Sequence, residues 1–228
     1  MPTPLPSSGL VLWEVVLLVL ASAVPVLVAT HPLLVRLPEP AEPGGKTPYR
    51  ELPTSRFVAT CTTLAAGCAC LAALTVPAAT WPLWWVLAAP GLVLVAVDAR
   101  TTWLPLGLTH VVWAASLGAA VLATFLGGSG LLARAAVGAI AVALLYLTLW
   151  WFSHGELGFG DVRLAPVLGA TSAAVGWSTL LTTVLLGNLV GAAVGVVRTS
   201  RGRPGSFAYA PSMLAGAFLA CGVRAVSG

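Results

Sequence analysis

Apolar runs close to 20 residues long, about the length that a transmembrane helix needs, recur along the chain and decide what it can fold into. Only 8% of the 228 residues are charged, whereas a soluble domain carries about 25% charged residues. So few charges cannot cover a water-facing surface, and the chain is therefore predicted to be an integral membrane protein. The eight runs cover residues 9–30, 57–77, 82–97, 108–126, 131–152, 162–176, 179–197 and 207–223.

Runs of this length favour helices over a membrane barrel, because a barrel strand needs only about 9 to 11 residues and alternates apolar with polar side chains. We therefore predict an all-α polytopic membrane protein, a bundle of about eight transmembrane helices. Almost the whole length is apolar, so residues 1–228 are expected to form a single transmembrane helical domain. The N-terminus lacks the basic segment of a signal peptide, so we expect no cleavage and a retained first helix.

The basic residues lie mostly in alternate loops. Four such loops share one side of the predicted bundle: 31–56, 98–107, 153–161 and 198–206. Together with Arg163, just inside the sixth run, they hold nine of the eleven lysines and arginines, and only Arg134 and Arg224 fall at the other end. The positive-inside rule makes the basic side cytoplasmic and places both termini outside. Positive charge placed in this way does not imply a nucleic acid partner.

The two aspartates of the sequence each lie where an apolar run meets a short polar loop. Asp98 follows the third run, and Asp161 precedes the sixth. The fourth and fifth runs separate them, so the chain crosses the bilayer and returns, and both carboxylates fall at the same cytoplasmic boundary. A charged side chain costs roughly 2.5 to 3.5 kcal/mol at the centre of a membrane helix, so a membrane carboxylate is a functional-site hypothesis by default. We predict that Asp98 and Asp161 form one catalytic pair.

Glycines precede the second aspartate, in the sequence Gly158-Phe159-Gly160-Asp161. Glycine permits a positive φ and the close approach of another chain, which suits a loop that presents an extended substrate to Asp161. Because the motif lies just before an apolar run, Asp161 is expected near a helix N-terminus, where the helix dipole favours negative charge.

Paired carboxyl groups can hydrolyse a peptide bond. One carboxylate takes a proton from water, and the other, protonated, polarises the scissile carbonyl. Two neighbouring carboxyls cannot both ionise cheaply, so they share one proton. Loop aspartates also cap helices, and an ion-coupled carrier or a noncatalytic membrane scaffold stays open as an alternative. A proton-coupled carrier would hold its ionisable groups near the midplane, whereas these two lie at an edge.

Other polar and aromatic residues have structural interpretations. Trp81, Trp84 and Trp85 flank a turn between two runs and are expected in the aromatic belt at the membrane surface. Asn188, inside the seventh run, is expected to make an interhelical hydrogen bond. The four cysteines lie inside apolar runs, form no CxxC pair, and are interpreted as small buried residues.

Two segments carry a resemblance to a known family. Residues 158–164, Gly-Phe-Gly-Asp-Val-Arg-Leu, are similar to a GxGDxKL motif with arginine in place of lysine. Val97-Asp98, followed by Arg100 and Leu104-Pro105, is similar to the segment that carries the first aspartate, although Leu106 stands where Asp or Asn is usual. Residues 207–216 and 35–38 agree more loosely. The chain thus resembles the type IV prepilin peptidases, a family of GxGD membrane aspartyl proteases.

The resemblance implies an endopeptidase of the cytoplasmic (inner) membrane that removes the basic leader from prepilin or pseudopilin precursors on the cytoplasmic side. Asp98 and Asp161 would be catalytic, and Gly158, Gly160, Glu156 and Trp103 would bind the substrate. Longer relatives carry a cysteine-rich zinc insert with N-methyltransferase activity between their first two helices. Residues 31–56 contain no cysteine, so we expect a short cytoplasmic loop, no metal, no cofactor and no methyltransferase activity.

Overall fold

Eight long helical segments make up most of the chain that the structure describes. The computed structural model describes residues 12–39, 46–153, 157–202 and 207–227. No β-strand occurs in these ranges. The segments are α1 (Leu12–Arg36), α2 (Ser55–Thr75), α3 (Ala78–Thr101), α4 (Leu106–Gly127), α5 (Ser129–Phe152), α6 (Phe159–Val175), α7 (Trp177–Ser200) and α8 (Ala210–Ser227). The predicted all-α polytopic membrane fold is confirmed.

Six of these helices, α1 to α5 and α7, are long and apolar enough to cross a bilayer, and α8 is a shorter apolar helix. α3 is the most enclosed of the six, whereas α1 is the least. α6 lies deep in the bundle, packed against α5, α4, α7 and α8. The two helices that carry the aspartates, α3 and α6, are therefore surrounded by their neighbours rather than by lipid.

Glycines allow two helix pairs to pack at short range. A Cβ atom at Gly138 of α5 would lie 2.6 Å from the carbonyl oxygen of Gly169 on α6, and a Cβ at Gly169 would collide with the backbone of Gly138. A Cβ at Gly216 of α8 would lie 2.6 Å from the carbonyl oxygen of Thr183 on α7. Small residues at such contacts are typical of membrane helices, since they let the backbones approach closely. These two pairs fix α6 and α8 against their partners.

α3 is not a regular helix throughout. It starts with a 3₁₀ turn, and its middle, Leu87–Gly91, is a π-helical turn that contains Pro90. Proline has no N–H to donate, and a wider turn accommodates this local break in the hydrogen-bond ladder. A Cβ at Gly91 would lie 2.8 Å from the carbonyl oxygen of Val86, so the wide turn also needs glycine there. α3 ends at Thr102, which has φ 57° and whose N–H donates to the Asp98 carbonyl over 2.7 Å.

Two structural expectations drawn from the sequence need correction. The segment 31–56 is not one irregular loop, because α1 continues to Arg36 and α2 already begins at Ser55. Trp84 does not belong to an aromatic belt: its side chain is fully buried and packs edge-on against Phe218, with ring centroids 5.5 Å apart. Enclosure of α3 by its neighbours removes this tryptophan from the membrane surface.

Arg134 and Arg224 lie at the end of the bundle opposite to the aspartates, as predicted. Arg134 Nη2 donates to the carbonyl of Ala174 near the end of α6, over 3.1 Å. Arg224 Nε donates to the carbonyl of Thr75 at the end of α2, over 3.2 Å. A cation at a helix C-terminus is favourable because the last carbonyls carry partial negative charge.

Candidate active site

A cavity of about 630 Å³ opens at the end of the bundle where α3 ends and α6 begins. Its walls come from the ends of α3, α4 and α6 and from connecting segments between helices. The lining residues are Pro38, Glu39, Lys46, Tyr49, Asp98, Thr102, Trp103, Leu104, Pro105, Leu106, Gly107, Gly158, Phe159, Gly160, Asp161, Arg163, Phe207, Ala208 and Tyr209. Both aspartates of the chain are among them.

Asp98 lies in the last turn of α3 and is 3% exposed. The left-handed residue Thr102 ends this helix one turn later, and the chain then runs through Trp103 and Leu104 to Pro105, the N-cap of α4. Because α3 ends one turn after Asp98, this residue lies at the open end of the bundle. Its side chain points into the cavity instead of toward lipid.

Asp161 is the third residue of α6 and is 4% exposed. Gly158 is the N-cap, and its carbonyl accepts the Asp161 N–H over 3.0 Å. The Asp161 carboxyl group in turn lies against the Gly158 backbone, which favours its charged form. A carboxyl group at this third helical position that reaches back to the N-cap backbone is the second half of a capping box; the first half is missing because Gly158 has no side chain. The position at a helix N-terminus is the one that the sequence predicted for Asp161.

The two carboxyl groups lie together around one backbone amide. The backbone amide of Ala210, the first residue of α8, lies close enough to both carboxyl groups to favour their charged forms, and the two carboxyl groups are close enough to interact electrostatically. Among the residues that the structure describes, Asp98 Oδ2 and Asp161 Oδ1 are buried without a hydrogen-bond partner. A buried polar atom without a partner costs about 1–3 kcal/mol, and more if it is charged, so such atoms call for a functional explanation.

The two glycines of the motif act through close contacts. A Cβ at Gly160 would lie 2.5 Å from Leu104 Cδ1, so glycine lets α6 start directly against the segment that follows Asp98. A Cβ at Gly158 would lie 3.2 Å from Asp161 Oδ2. The expected use of positive φ is wrong at Gly158, which has φ −64°, because an extended N-cap is sufficient to start the helix. The close approach here is made by the protein's own chain.

Of the other predicted substrate-binding residues, Trp103 lines the cavity together with Gly158 and Gly160. Glu156 lies outside the described residues. Arg163 also faces the cavity, with its guanidinium carbon 5.0 Å from the centre of the Phe159 ring. The structure thus places three of the four predicted substrate-binding residues, Trp103, Gly158 and Gly160, around the aspartates, while their roles stay predictions.

The connection between α1 and α2 contributes side chains that the sequence did not single out. Lys46 Nζ donates to Thr102 Oγ1 over 2.6 Å and lies 4.3 Å from the centre of the Trp103 ring. Glu39 accepts the backbone N–H of Tyr49 over 3.0 Å. Burial, together with nearby Glu39, raises the pKa of the Tyr49 hydroxyl. Lys46 is the only lysine in the sequence, a signal that could have drawn attention to it.

No group of three histidine, cysteine or carboxylate side chains within the described ranges comes together in the way that a metal site requires. The charged and ionisable side chains that line the cavity include the two carboxyl groups and the cations Lys46 and Arg163.

Comparison with known proteins gives a consistent assignment. A family model described as the type IV leader peptidase family matches residues 83–196, half of the chain, and this range includes both aspartates. The chain belongs to the type IV leader peptidase family. Relatives within this leader peptidase family include three proteins named prepilin leader peptidase/N-methyltransferase. That of Burkholderia pseudomallei (strain 1026b) is 37% identical over 141 residues, which cover 60% of this chain and 42% of the relative.

The leader peptidase of Aeromonas hydrophila is 35% identical over 160 residues, or 67% of this chain and 49% of the relative. That of Klebsiella pneumoniae is 38% identical over 100 residues, or 42% of this chain and 41% of the relative. The chain thus spans less than half the length of these relatives. No solved structure matches it.

Proposed function

We propose that this type IV leader peptidase family member is an aspartyl endopeptidase that removes the basic leader from prepilin or pseudopilin precursors. The observation that carries the proposal is the pair of buried carboxyl groups, each with one unpartnered oxygen, in a cavity at the end of the bundle. The names of the relatives support the choice of substrate.

In the proposed reaction, Asp98 and Asp161 share one proton. The ionised carboxylate accepts a proton from a water molecule, whose oxygen attacks the carbonyl carbon of the scissile peptide. The protonated carboxyl donates its proton to the carbonyl oxygen, which gives a neutral tetrahedral diol. The peptide nitrogen then takes a proton from the pair, the C–N bond breaks, and a hydroxyl of the diol returns its proton to the pair. The leader leaves as a carboxylic acid, which ionises in water, together with the new amine, and the pair again shares one proton. The pair titrates as a unit, so either aspartate can be the first base.

The substrate would reach the site from the membrane edge. A precursor of this class carries an apolar helix, which would stay in the bilayer, and a basic leader, which would enter the cavity. We assign Trp103, Gly158 and Gly160 to the walls that hold the extended segment around the scissile bond. We assign Glu156 to the basic leader, since opposite charges attract. These assignments follow from the position of the residues next to the two aspartates.

The short connection between α1 and α2 is proposed to replace a methyltransferase insert. It contains no cysteine, and Lys46 and Tyr49 within it instead line the cavity. We therefore infer a peptidase that needs no zinc and does not methylate its product. Mass spectrometry of the processed substrate tests this inference: an unmodified new N-terminus supports it, and an N-methylated one contradicts it.

The aspartate end is proposed to face the cytoplasm, because most of the basic residues lie at that end. Arg201, an exposed residue just after α7, lies at the same end and provides a test. Arg201→Cys should react with a membrane-impermeant thiol reagent in inverted inner-membrane vesicles but not in intact spheroplasts. The reverse pattern would place the site on the other side of the membrane.

The processing assay decides between a peptidase and a carrier or scaffold. The protein is co-expressed with the prepilin or pseudopilin precursor encoded nearest to it, and the precursor and mature forms are separated by size. Asp98→Asn and Asp161→Asn should each leave only the precursor, because either change removes half of the acid–base pair. Unchanged processing with both variants would exclude the aspartyl mechanism.

A further inference from the structure

Three polar side chains beside the aspartates come from three different elements. Asn188 lies on α7, where its Nδ2 donates to the carbonyl of Val184 over 2.8 Å and so fixes the orientation of the amide. Its Oδ1 accepts the hydroxyl of Tyr209 over 2.7 Å. Tyr146 of α5, 2% exposed, packs against Tyr209 with ring centroids 6.4 Å apart. The hydrogen bond predicted for Asn188 therefore joins α7 to the segment that leads into α8.

The ring of Tyr209 occupies a space that glycine leaves open. A Cβ atom at Gly191, one turn after Gly187 on the same face of α7, would collide with this ring. Gly187 itself contacts the start of α8 closely, since a Cβ there would lie 3.4 Å from the Cα of Met213. The ring and the hydroxyl of Tyr209 are thus both held by α7, and the residue has little freedom to move.

Tyr209 also starts α8. Its carbonyl accepts the N–H of Ser212 over 2.9 Å and that of Met213 over 3.3 Å. Pro211 has no N–H. The N–H of Ala210, which belongs to the same peptide group as the Tyr209 carbonyl, points away from the helix, toward the cavity that Tyr209 lines together with Asp98 and Asp161, and lies close enough to favour the charged form of both carboxyl groups. One peptide group therefore has its oxygen in α8 and its nitrogen between the two carboxyl groups.

We propose that Tyr209 and Asn188 are positioning residues for the aspartate pair. They act through the Tyr209–Ala210 peptide group: by holding the Tyr209 side chain against α7, they set the place of the Ala210 N–H between Asp98 and Asp161. That amide holds the two carboxyl groups in a fixed position relative to each other, and it places them at the positive end of the α8 dipole. The inference rests on the proposed peptidase function and concerns the reaction rate rather than substrate binding.

Steady-state kinetics with a precursor peptide provide the test. Tyr209→Phe keeps the ring in its slot and removes only the hydroxyl, and Asn188→Leu removes the acceptor. Each should lower kcat about 3- to 10-fold, the worth of one buried hydrogen bond, and leave KM within about twofold. The kcat of the double variant should be no lower than that of the less active single variant, because the two changes remove the same hydrogen bond. Asn188→Gln, which keeps an uncharged amide oxygen as acceptor, should retain more activity than Asn188→Leu.

Ser172→Ala is the matched control. It removes a buried hydrogen bond between α6 and α7, from Ser172 Oγ to Thr183 Oγ1 over 3.1 Å, that does not touch the cavity. Thermal unfolding in detergent should show similar losses for Ser172→Ala and Tyr209→Phe, whereas only Tyr209→Phe should lower kcat. An unchanged kcat in Tyr209→Phe, an effect on KM alone, or additive losses in the double variant would overturn the proposal.

The two proposals can fail separately. If Asp98→Asn and Asp161→Asn abolish cleavage while Tyr209→Phe and Asn188→Leu behave like the unaltered enzyme, only the positioning role is wrong. If the aspartate variants still cleave the precursor, the peptidase mechanism is wrong, and the positioning role falls with it.

Discussion

α1 and α3 are both apolar helices long enough to span a bilayer, yet they occupy opposite kinds of environment. α1 is the most apolar of the six candidate spans, and only 11% of its most apolar window is buried inside the protein. α3 is less apolar, and 72% of its window is buried. The more apolar helix is thus the one whose side chains are mostly exposed at the bundle surface. The proposed catalytic residue Asp98 lies on the less apolar and more buried helix, whereas α1 lies at the periphery of the bundle.

The largest expected difference between the two helices concerns their carboxylates. Asp98→Asn on α3 should reduce kcat/KM more than about a thousandfold, because it removes a reacting group. Glu14→Gln, the matched change on α1, should leave kcat/KM within about twofold. The measurement is cleavage of a precursor peptide by purified protein in detergent. Comparable losses in the two variants would mean that the enclosed helix has no special role.

The tryptophans of the two helices should differ next most. Trp84 of α3 is fully buried against Phe218, whereas Trp13 of α1 is 55% exposed. Trp84→Ala should lower the free energy of unfolding by about 3–5 kcal/mol, through lost contacts and a cavity. Trp13→Ala should change it by less than about 0.5 kcal/mol. Reversible unfolding in mixed micelles checks both values, and equal losses would contradict the enclosure of α3.

A smaller effect is expected where the two helices touch. Trp85 of α3 donates its Nε1–H to the carbonyl of Ala21 on α1 over 2.8 Å. Trp85→Phe removes this donor and should cost about 0.5–1.5 kcal/mol of unfolding free energy. Cleavage activity should be unchanged, because Trp85 lies roughly 20 Å from Asp98 along α3 and does not line the cavity. Loss of activity without loss of stability would show that α1 also influences catalysis.

The smallest effect should come from the lipid-facing side of α1. Leu17 is 53% exposed, so Leu17→Ala should leave both the stability and the cleavage rate nearly unaltered, within about 0.5 kcal/mol. A Leu→Ala change at Leu94, which is fully buried on α3, serves as the comparison and should cost about 2–5 kcal/mol. Similar results at the two positions would contradict the difference in environment.

The sequence pattern predicted much of the fold and less of the site. Each apolar run became a helix, and the count of crossings between Asp98 and Asp161 was enough to expect them at one end. Burial of Trp84 could not be predicted, since an apolar run looks the same against lipid and against protein. Lys46 was missed because the connection around it has no periodicity that would locate it. The shared amide of Ala210 was missed because it is a main-chain group, which residue types do not reveal.

The wide turn at Leu87–Gly91 has a consequence for how α3 can change over evolution. In a regular helix successive side chains differ in direction by about 100° around the axis. A π-helical turn contains one more residue than an α-helical turn, so every side chain after it points in a different direction. Shortening this stretch by one position would swing Asp98 away from Asp161 by roughly that angle, even with every apolar residue retained. A proline and a glycine near the middle of the bilayer thus determine the direction in which the Asp98 carboxylate points, about two turns away at the membrane edge.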